Sequence, residues 1–170
     1  PQKNLALSKA TTEWVLSIDA DERVTPALRD EILAAIASGQ FDAYDMPRLS
    51  RFCGRFMRHS GWYPDRLTRV FRVGKARFTD DIVHENVVTD GPIGHLQTPL
   101  LHYTYDDLSQ VLRKVDQYST LGAQQAFQRG KTATVASAWI HGSWAFLRTW
   151  LFRRGFMDGP QGLAVALMNG

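Results

Sequence analysis

Asp19, Asp21 and Glu22 place three carboxylates within four positions, directly after the apolar run Trp14-Val15-Leu16-Ser17-Ile18. A short run rich in β-branched and aromatic residues predicts a buried strand over 14–18. Carboxylates this close repel one another unless they stand in open water or share a cation with phosphate nearby. Asp19 and Asp21, two apart at the C-terminal end of a strand, could both reach one hard divalent ion, with phosphate oxygens and water completing its shell. The same residues also read as a solvated turn. Thr25 is then an N-cap and Pro26 a first helical residue, with acids ahead of them for the helix dipole.

A second acidic group, Asp80 and Asp81, leads through Ile82 and Val83 to the pair His84-Glu85. A carboxylate beside an imidazole can be a general base, a metal-ligand pair or a structural hydrogen bond, and residue types alone favour the last. Between the two groups lies His59-Ser60-Gly61-Trp62-Tyr63-Pro64, a loop by its Gly and Pro. Its aromatics either fold back onto a core or wall a ligand site, since flat rings stack on sugars and bases. Arg66, Arg69 and Arg72 fall on both faces of a strand expected over 67–73, so at least one of them needs an anionic partner.

Charge is unevenly distributed. Residues 1–47 carry eight acids and four bases, whereas 48–77 carry nine bases and one acid, Asp65, within a net charge of +3. The basic stretch points to an anionic ligand such as a phosphate, nucleotide or lipid head group, or else to a solubilising surface.

The elements that must hold these groups follow from periodicity and punctuation. Residues 3–11 predict a short helix with Leu5 and Ala6 inward. Pro26 to about Ala37 predicts a second, with Leu28, Ile32 and Ile36 on one face and Ser38-Gly39 as its stop. Residues 42–49 read as extended, 80–88 as a strand, 91–94 as a turn, and 99–103 as the last strand of an α/β layer. From residue 106 the spacing becomes helical, with Thr104 or Asp106 as cap and an end near Arg129. A second helix, 132 to about 154, is rich in aromatics, and its apolar residues cover about half its circumference, with His141 and Arg148 opposite. Tryptophan with terminal Arg153-Arg154 suits a membrane interface rather than a span, which needs ~20 mostly apolar residues. Packing on the α/β body or on a dimer partner is the plainer alternative. Residues 155–162 read as a turn before a short apolar helix over 163–168. The composition is globular, 44% hydrophobic with one cysteine, so no internal disulfide forms, and no CxxC spacing suggests a metal.

Four segments in this order resemble bacterial family 2 glycosyltransferases, above all lipopolysaccharide core glucosyltransferases. They are WVLSIDADE over 14–22, RHSGWYPDRLTRVF over 58–71, Val83-His84-Glu85, and Gly155-Phe156-Met157-Asp158-Gly159. The resemblance covers nearly the whole chain. It implies an α/β GT-A fold, a Rossmann-like mixed sheet with flanking helices over 1–105, to which the helical stretch over 106–170, read above as membrane-interfacial, is an extension. It further implies an inverting transfer of a sugar from a nucleotide-diphosphate donor to a glycan or lipid-linked acceptor in envelope biosynthesis. The enzyme would be cytoplasmic and peripheral at the inner face of the cell membrane, with no nucleic-acid partner.

On that resemblance Asp19 lies near the donor's ribose and sugar, and Asp21 holds Mg²⁺ or Mn²⁺ against the diphosphate, with His84 completing the shell or orienting Glu85. Arg66 or Arg69 clamps the donor, Trp62 and Tyr63 wall the sugar sites, and Glu85, with Asp81 second, is the general base. The family's opening nucleobase-binding βαβ region has no counterpart ahead of Pro1, so the sequence is expected to match the C-terminal two-thirds of such an enzyme. Alone it would bind donor weakly and leave its first strand with an open edge. The QXXRW motif of processive synthases is also missing, which points to addition of one sugar. Residues 15–21 are similar, too, to a haloacid-dehalogenase phosphatase motif, with Asp19 as nucleophile, although Glu22-Arg23 departs from that pattern. A non-catalytic module binding polyanions or membrane surfaces is the remaining alternative.

Overall fold

The computed structural model describes residues 2–79, 86–105, 107–130, 132 and 134–170. Within them the chain divides into two compact units, residues 1–49 with 64–102, and residues 50–63 with 103–170.

The first unit carries the sheet. Its strands are β1 (Trp14–Leu16), β2 (Glu22–Arg23), β3 (Ala43–Phe52), β5 (Asp65–Arg72), β8 (Ile93–His95) and β9 (Leu100–Tyr105), in the order β1-β5-β3-β9-β2, with β8 also on β3. The ends of β3 and β9 belong to the second unit. The sheet is mixed: β8 runs parallel to β3, while β1 and β5, and β3 and β5, are antiparallel. A separate antiparallel pair joins β6 (Ala76–Phe78) to β7 (Val87–Thr89).

Helix α2 (Pro26–Ser38) matches its sequence signals. The Thr25 hydroxyl accepts the Leu28 N–H, and Gly39 ends the helix at φ 62°, a conformation that only glycine adopts at little cost. Leu28 and Ile32 are buried against Tyr44, Met46, Val70, Leu96 and Leu100. Burial of side chains this size contributes about 1.5–3 kcal/mol each.

Three expectations need correction here, and a fourth is described only in part. Helix α1 (Gln2–Leu7) is shorter than 3–11 and turns Leu5 and Ala6 outward. It is fixed by Leu7, which packs against Phe71 and Phe78, and by the Asn4 amide, which exchanges two hydrogen bonds with the Phe78 backbone. Strand β1 stops at Leu16 and is not buried, because only β5 flanks it among the described strands, and Leu16 and Ile18 face solvent. The segment read as a turn over 91–94 contains β8, in which Gly94 sits so close to the Tyr44 ring that a Cβ would approach it to 2.5 Å. The proposed strand over 80–88 is described only from residue 86 onward, and residues 87–89 are β7.

The second unit opens with the end of β3, which turns through Cys53 and Gly54, both at positive φ, into β4 (Arg55–Phe56). Helix α3 (Leu108–Gln128) is capped by Asp107, not by Thr104 or Asp106; the Asp107 carboxylate accepts the Gln110 N–H. Helix α4 (Val135–Leu147) starts in a capping box between Thr134 and Ser137 and passes into a π turn, Arg148–Phe152. Residues read as a turn beyond 155 are a 3₁₀ turn, Gly155–Asp158, followed by α5 (Gly159–Asn169), with Pro160 in its first turn, where its missing N–H costs nothing. The core here is Phe52, Met57, Val111 and Val165, with Trp62 and Tyr105 packed on it. Among the described residues no helix is long and apolar enough to cross a membrane.

Candidate functional site

In the first unit the acidic segment between β1 and β2 is a tight turn closed twice. The Glu22 N–H donates to the Asp19 carbonyl at 3.0 Å, and the Asp19 N–H donates to Glu22 Oε2 at 2.9 Å. The Glu22 side chain is fully buried. Its other oxygen accepts from Arg69 Nη2 at 2.5 Å, with Arg48 Nη1 at 3.9 Å. A buried carboxylate needs such partners, since an unpaired charge in a dry site is several kcal/mol unfavourable. Glu22, the third of the closely spaced acids, is therefore a structural anchor on Arg69.

The two aspartates are left in different surroundings. Asp19 Oδ2 accepts from the same Arg69 Nη2 at 2.7 Å, and Lys3 Nζ lies 3.6 Å from Oδ1. Partial burial would raise the Asp19 carboxyl, but Arg69 and Lys3 together hold it below its usual value. Asp21 is half exposed, and its Oδ2 lies 3.2 Å from His102 Nε2. His102 is there because β2 pairs with β9 in the register Glu22↔His102. In sequence it was only one polar residue in an apolar strand, 81 positions away, and nothing local marked it.

A hard divalent ion would find a carboxylate oxygen and an imidazole nitrogen at Asp21 and His102. That mixed pair suits Mn²⁺ better than Mg²⁺, which prefers an all-oxygen shell. Asp19 is engaged by two cations. No group of three or more His, Cys, Asp or Glu side chains that could hold a metal occurs among the described residues. Asp21 and His102 thus fit an ion that takes its remaining ligands from substrate and water. Asp81, His84 and Glu85 lie outside the described residues.

The arginines expected to meet an anionic ligand have protein partners. Arg66 donates through Nε and Nη2 to Asp45 Oδ1 at 2.9 and 2.6 Å, and through Nη2 to the Leu96 carbonyl. Arg72 meets Glu13 and Asp42, and Arg48 donates twice to Asp65. Arg48, Arg66, Arg69 and Arg72 of the basic stretch meet Glu22, Asp45, Asp19, Glu13 and Asp42 of the acidic stretch, so part of the charge asymmetry of the sequence is internal. All three of Arg66, Arg69 and Arg72 have the anionic partner required of at least one.

These pairs set a pH limit. Burial opposes the charge on Asp45, but Arg66 and His95 outweigh it and lower its pKa. Glu31 is lowered in the same sense by hydrogen bonds from Thr98 and Gln97 against the opposing effect of burial. Carboxylates depressed in the folded state give stability that is present above their unfolded values of about 4 and lost as pH falls through the lower folded values. Chemical denaturation should therefore show stability level down to about pH 5 and falling steeply below about pH 4.

In the second unit the loop 58–63 is built around one carboxylate. Asp158 is 1% exposed. It accepts the backbone N–H groups of Arg58 at 3.1 Å and His59 at 3.0 Å, and the Ser60 hydroxyl at 2.9 Å, with His59 Nδ1 at 3.3 Å. Ser60 and Gly61 both have positive φ, and a Cβ on Gly61 would collide with the Arg153 side chain. The segments RHSGW and GFMDG, nearly one hundred residues apart, are thus one structural unit. Trp62 is edge-on to Phe52 with ring centroids 5.5 Å apart, and the Arg58 guanidinium covers Tyr63. Trp62 is accordingly held in the core, the plainer of its two readings.

The chain is 34% identical to the lipopolysaccharide core biosynthesis glycosyltransferase LpsC of Rhizobium meliloti, over 76% of this chain and 49% of that protein. It is 28% identical to uncharacterized glycosyltransferases of Rickettsia prowazekii and Rickettsia typhi, in each case over 98% of this chain and 61% of the relative. The chain thus spans about half to three-fifths of the length of the curated relatives it matches. No family model matches it. The chain is a homologue of bacterial glycosyltransferases, with a lipopolysaccharide core enzyme among its relatives.

Proposed function

We propose that the chain forms part of an inverting family 2 glycosyltransferase with a GT-A fold, which moves one sugar from a nucleoside-diphosphate donor to a glycan or lipid-linked acceptor of the bacterial envelope. The observation that carries this reading is the turn at 19–22, where Glu22 and Arg69 fix the backbone and leave Asp21 half exposed beside His102. The names of the relatives support the transferase class and, for one of them, lipopolysaccharide core synthesis.

Asp21 and His102 would hold the divalent ion, with His84 as a further ligand. Bound there, Mg²⁺ or Mn²⁺ would neutralise charge gathering on the departing nucleoside diphosphate. Asp19, oriented by Arg69 and Lys3, accepts hydroxyl groups of the donor's ribose or sugar. Arg66 and Arg69 act by fixing Asp45, Asp19 and Glu22. Glu85, with Asp81 as second candidate, takes the proton from the acceptor hydroxyl as its oxygen bonds to the anomeric carbon and the bond to the diphosphate breaks. Tyr63 is kept as a candidate wall of a sugar site, while Trp62 serves the core against Phe52.

In the complete protein, Asp21→Asn should lower the rate of sugar transfer by about 10²–10³-fold, in the range lost when one group stabilising developing negative charge is removed. The assay screens nucleotide sugars with Mn²⁺ and follows release of the nucleoside diphosphate. Transfer unchanged in Asp21→Asn, or insensitive to chelation of divalent ions, would remove this reading of the turn.

A further inference from the structure

Helix α4 presents an apolar face to solvent that the transferase reading does not use. Val135, Trp139, Ile140, Trp144 and Leu147 are all exposed, Trp139 by 73% and Ile140 by 68%. At 100° per residue they span roughly half of the circumference, with His141 and Arg148 beyond its Trp144 edge. The helix packs beside the Val135 edge of this arc, where Gly142 is so close to the end of α5 that a Cβ would come within 2.4 Å of the Gly170 carbonyl. The exposed surface continues through Leu151 and Phe152 of the π turn, where the Phe152 ring lies 5.7 Å from Trp144, to Phe156 and Met157. A groove of about 710 Å³, lined by Trp139, Phe146, Leu147 and Leu167 among others, opens on the same helix.

The charge around this face has one sign. Residues 117–157 contain no Asp or Glu, and residues 117–170 contain Arg129, Lys131, Arg148, Arg153 and Arg154 against Asp158 alone. Asp158 is buried and occupied by the loop 58–60. A second copy packed on this face about a two-fold axis would bring arginine against arginine with no acid between them. An anionic lipid surface supplies both things the face lacks: an apolar layer for the rings and phosphates for the guanidinium groups. The helix is too short and too interrupted to span, so it would lie in the plane of the interface.

We propose that the exposed face of α4 and the following π turn seats in the surface of an anionic phospholipid bilayer, with Trp139, Ile140, Trp144 and Phe152 at the boundary between head groups and acyl chains and with Arg148 and Arg154 on lipid phosphates. The proposal rests on the second unit alone and stands or falls apart from the transferase reading.

Flotation of the full-length protein with vesicles of phosphatidylglycerol and phosphatidylcholine, and in parallel with phosphatidylcholine alone, tests it. The protein should float with the anionic vesicles about tenfold more tightly than with the neutral ones, and added salt should weaken binding. Trp139→Ser combined with Trp144→Ser should lose roughly tenfold or more on anionic vesicles. Arg148→Gln combined with Arg154→Gln should lose about tenfold there and nothing on neutral vesicles. These side chains are exposed, so both variants should keep the parent's thermal melt. If the tryptophan pair melts early, Ile140→Ser on the same arc replaces it. Parent protein that stays with the supernatant, variants that bind as the parent does, or equal binding to both vesicle types would overturn the proposal. So would dimers in light scattering that the tryptophan changes dissolve in the absence of any vesicle binding.

Discussion

Asp158→Ala is expected to lower the thermal unfolding midpoint by about 10 °C or more. The carboxylate, itself buried, takes two backbone N–H groups and a hydroxyl, with an imidazole nitrogen beside it. Its removal leaves these donors without an acceptor and the loop 58–61 without its anchor. Breaking a buried charged network by removing one partner is unfavourable by about 3–5 kcal/mol. For a chain of 150–250 residues each kcal/mol lowers the midpoint by roughly 2–4 °C. Ser60 makes the effect steeper, because its positive φ holds only while the surroundings impose it. Asp158→Asn should fall between parent and alanine, since one oxygen still accepts while the amide turns a donor toward donors. Circular dichroism melts decide the matter. A midpoint within about 2 °C of the parent would mean that water replaces the carboxylate, and that RHSGW and GFMDG are not one unit.

Arg69→Leu should be nearly as damaging, in the first unit. Arg69 is itself 7% exposed and holds both the fully buried Glu22 and Asp19. The flanking carboxylates, acting against the effect of its burial, raise its pKa further above the usual arginine value, so it is always charged in this site. With leucine in its place Glu22 keeps, among the described residues, the Asp19 N–H and the more distant Arg48. About 3–5 kcal/mol of stability should be lost. The double variant Arg69→Leu with Glu22→Leu should recover a large part of that, because two well-packed apolar side chains are often no worse than a buried ion pair. Urea unfolding of the parent, both single variants and the double variant closes the cycle. Strictly additive single effects would show that the two side chains are not coupled, and that Glu22 finds another partner.

Local signals in the sequence were reliable wherever structure is made locally. Thr25, Pro26 and Gly39 delimit α2 because a cap, a fixed φ and a left-handed residue act within one turn of the chain. The need of Arg66, Arg69 or Arg72 for an anionic partner was legible because a guanidinium cannot be buried alone. Which carboxylate would meet each one was not legible, since Asp45 and Glu22 lie 21 and 47 positions away and the pairing follows from strand register. The same reason hid His102, which reaches Asp21 only through the pairing of β2 with β9. Glu22 misled most: three acids within four positions look alike, and burial of the third is a tertiary fact. Asp107 displaced its neighbours as the cap of α3, a shift of one to three residues that capping geometry decides and composition does not. Strand β8 escaped notice because three residues with a central glycine carry no periodicity, and its place on β3 comes from close packing against Tyr44.

If a cation binds at Asp21 and His102 as proposed, the double closure between Asp19 and Glu22 bears on how tightly it can be held. A flexible acidic loop must be ordered each time an ion arrives, and the entropy lost in ordering it is subtracted from affinity. Here the protein's own arginine already imposes the curvature, so an ion meeting Asp21 and His102 should cause little rearrangement, and weak intrinsic ligation by two side chains can still suffice when a diphosphate arrives with it.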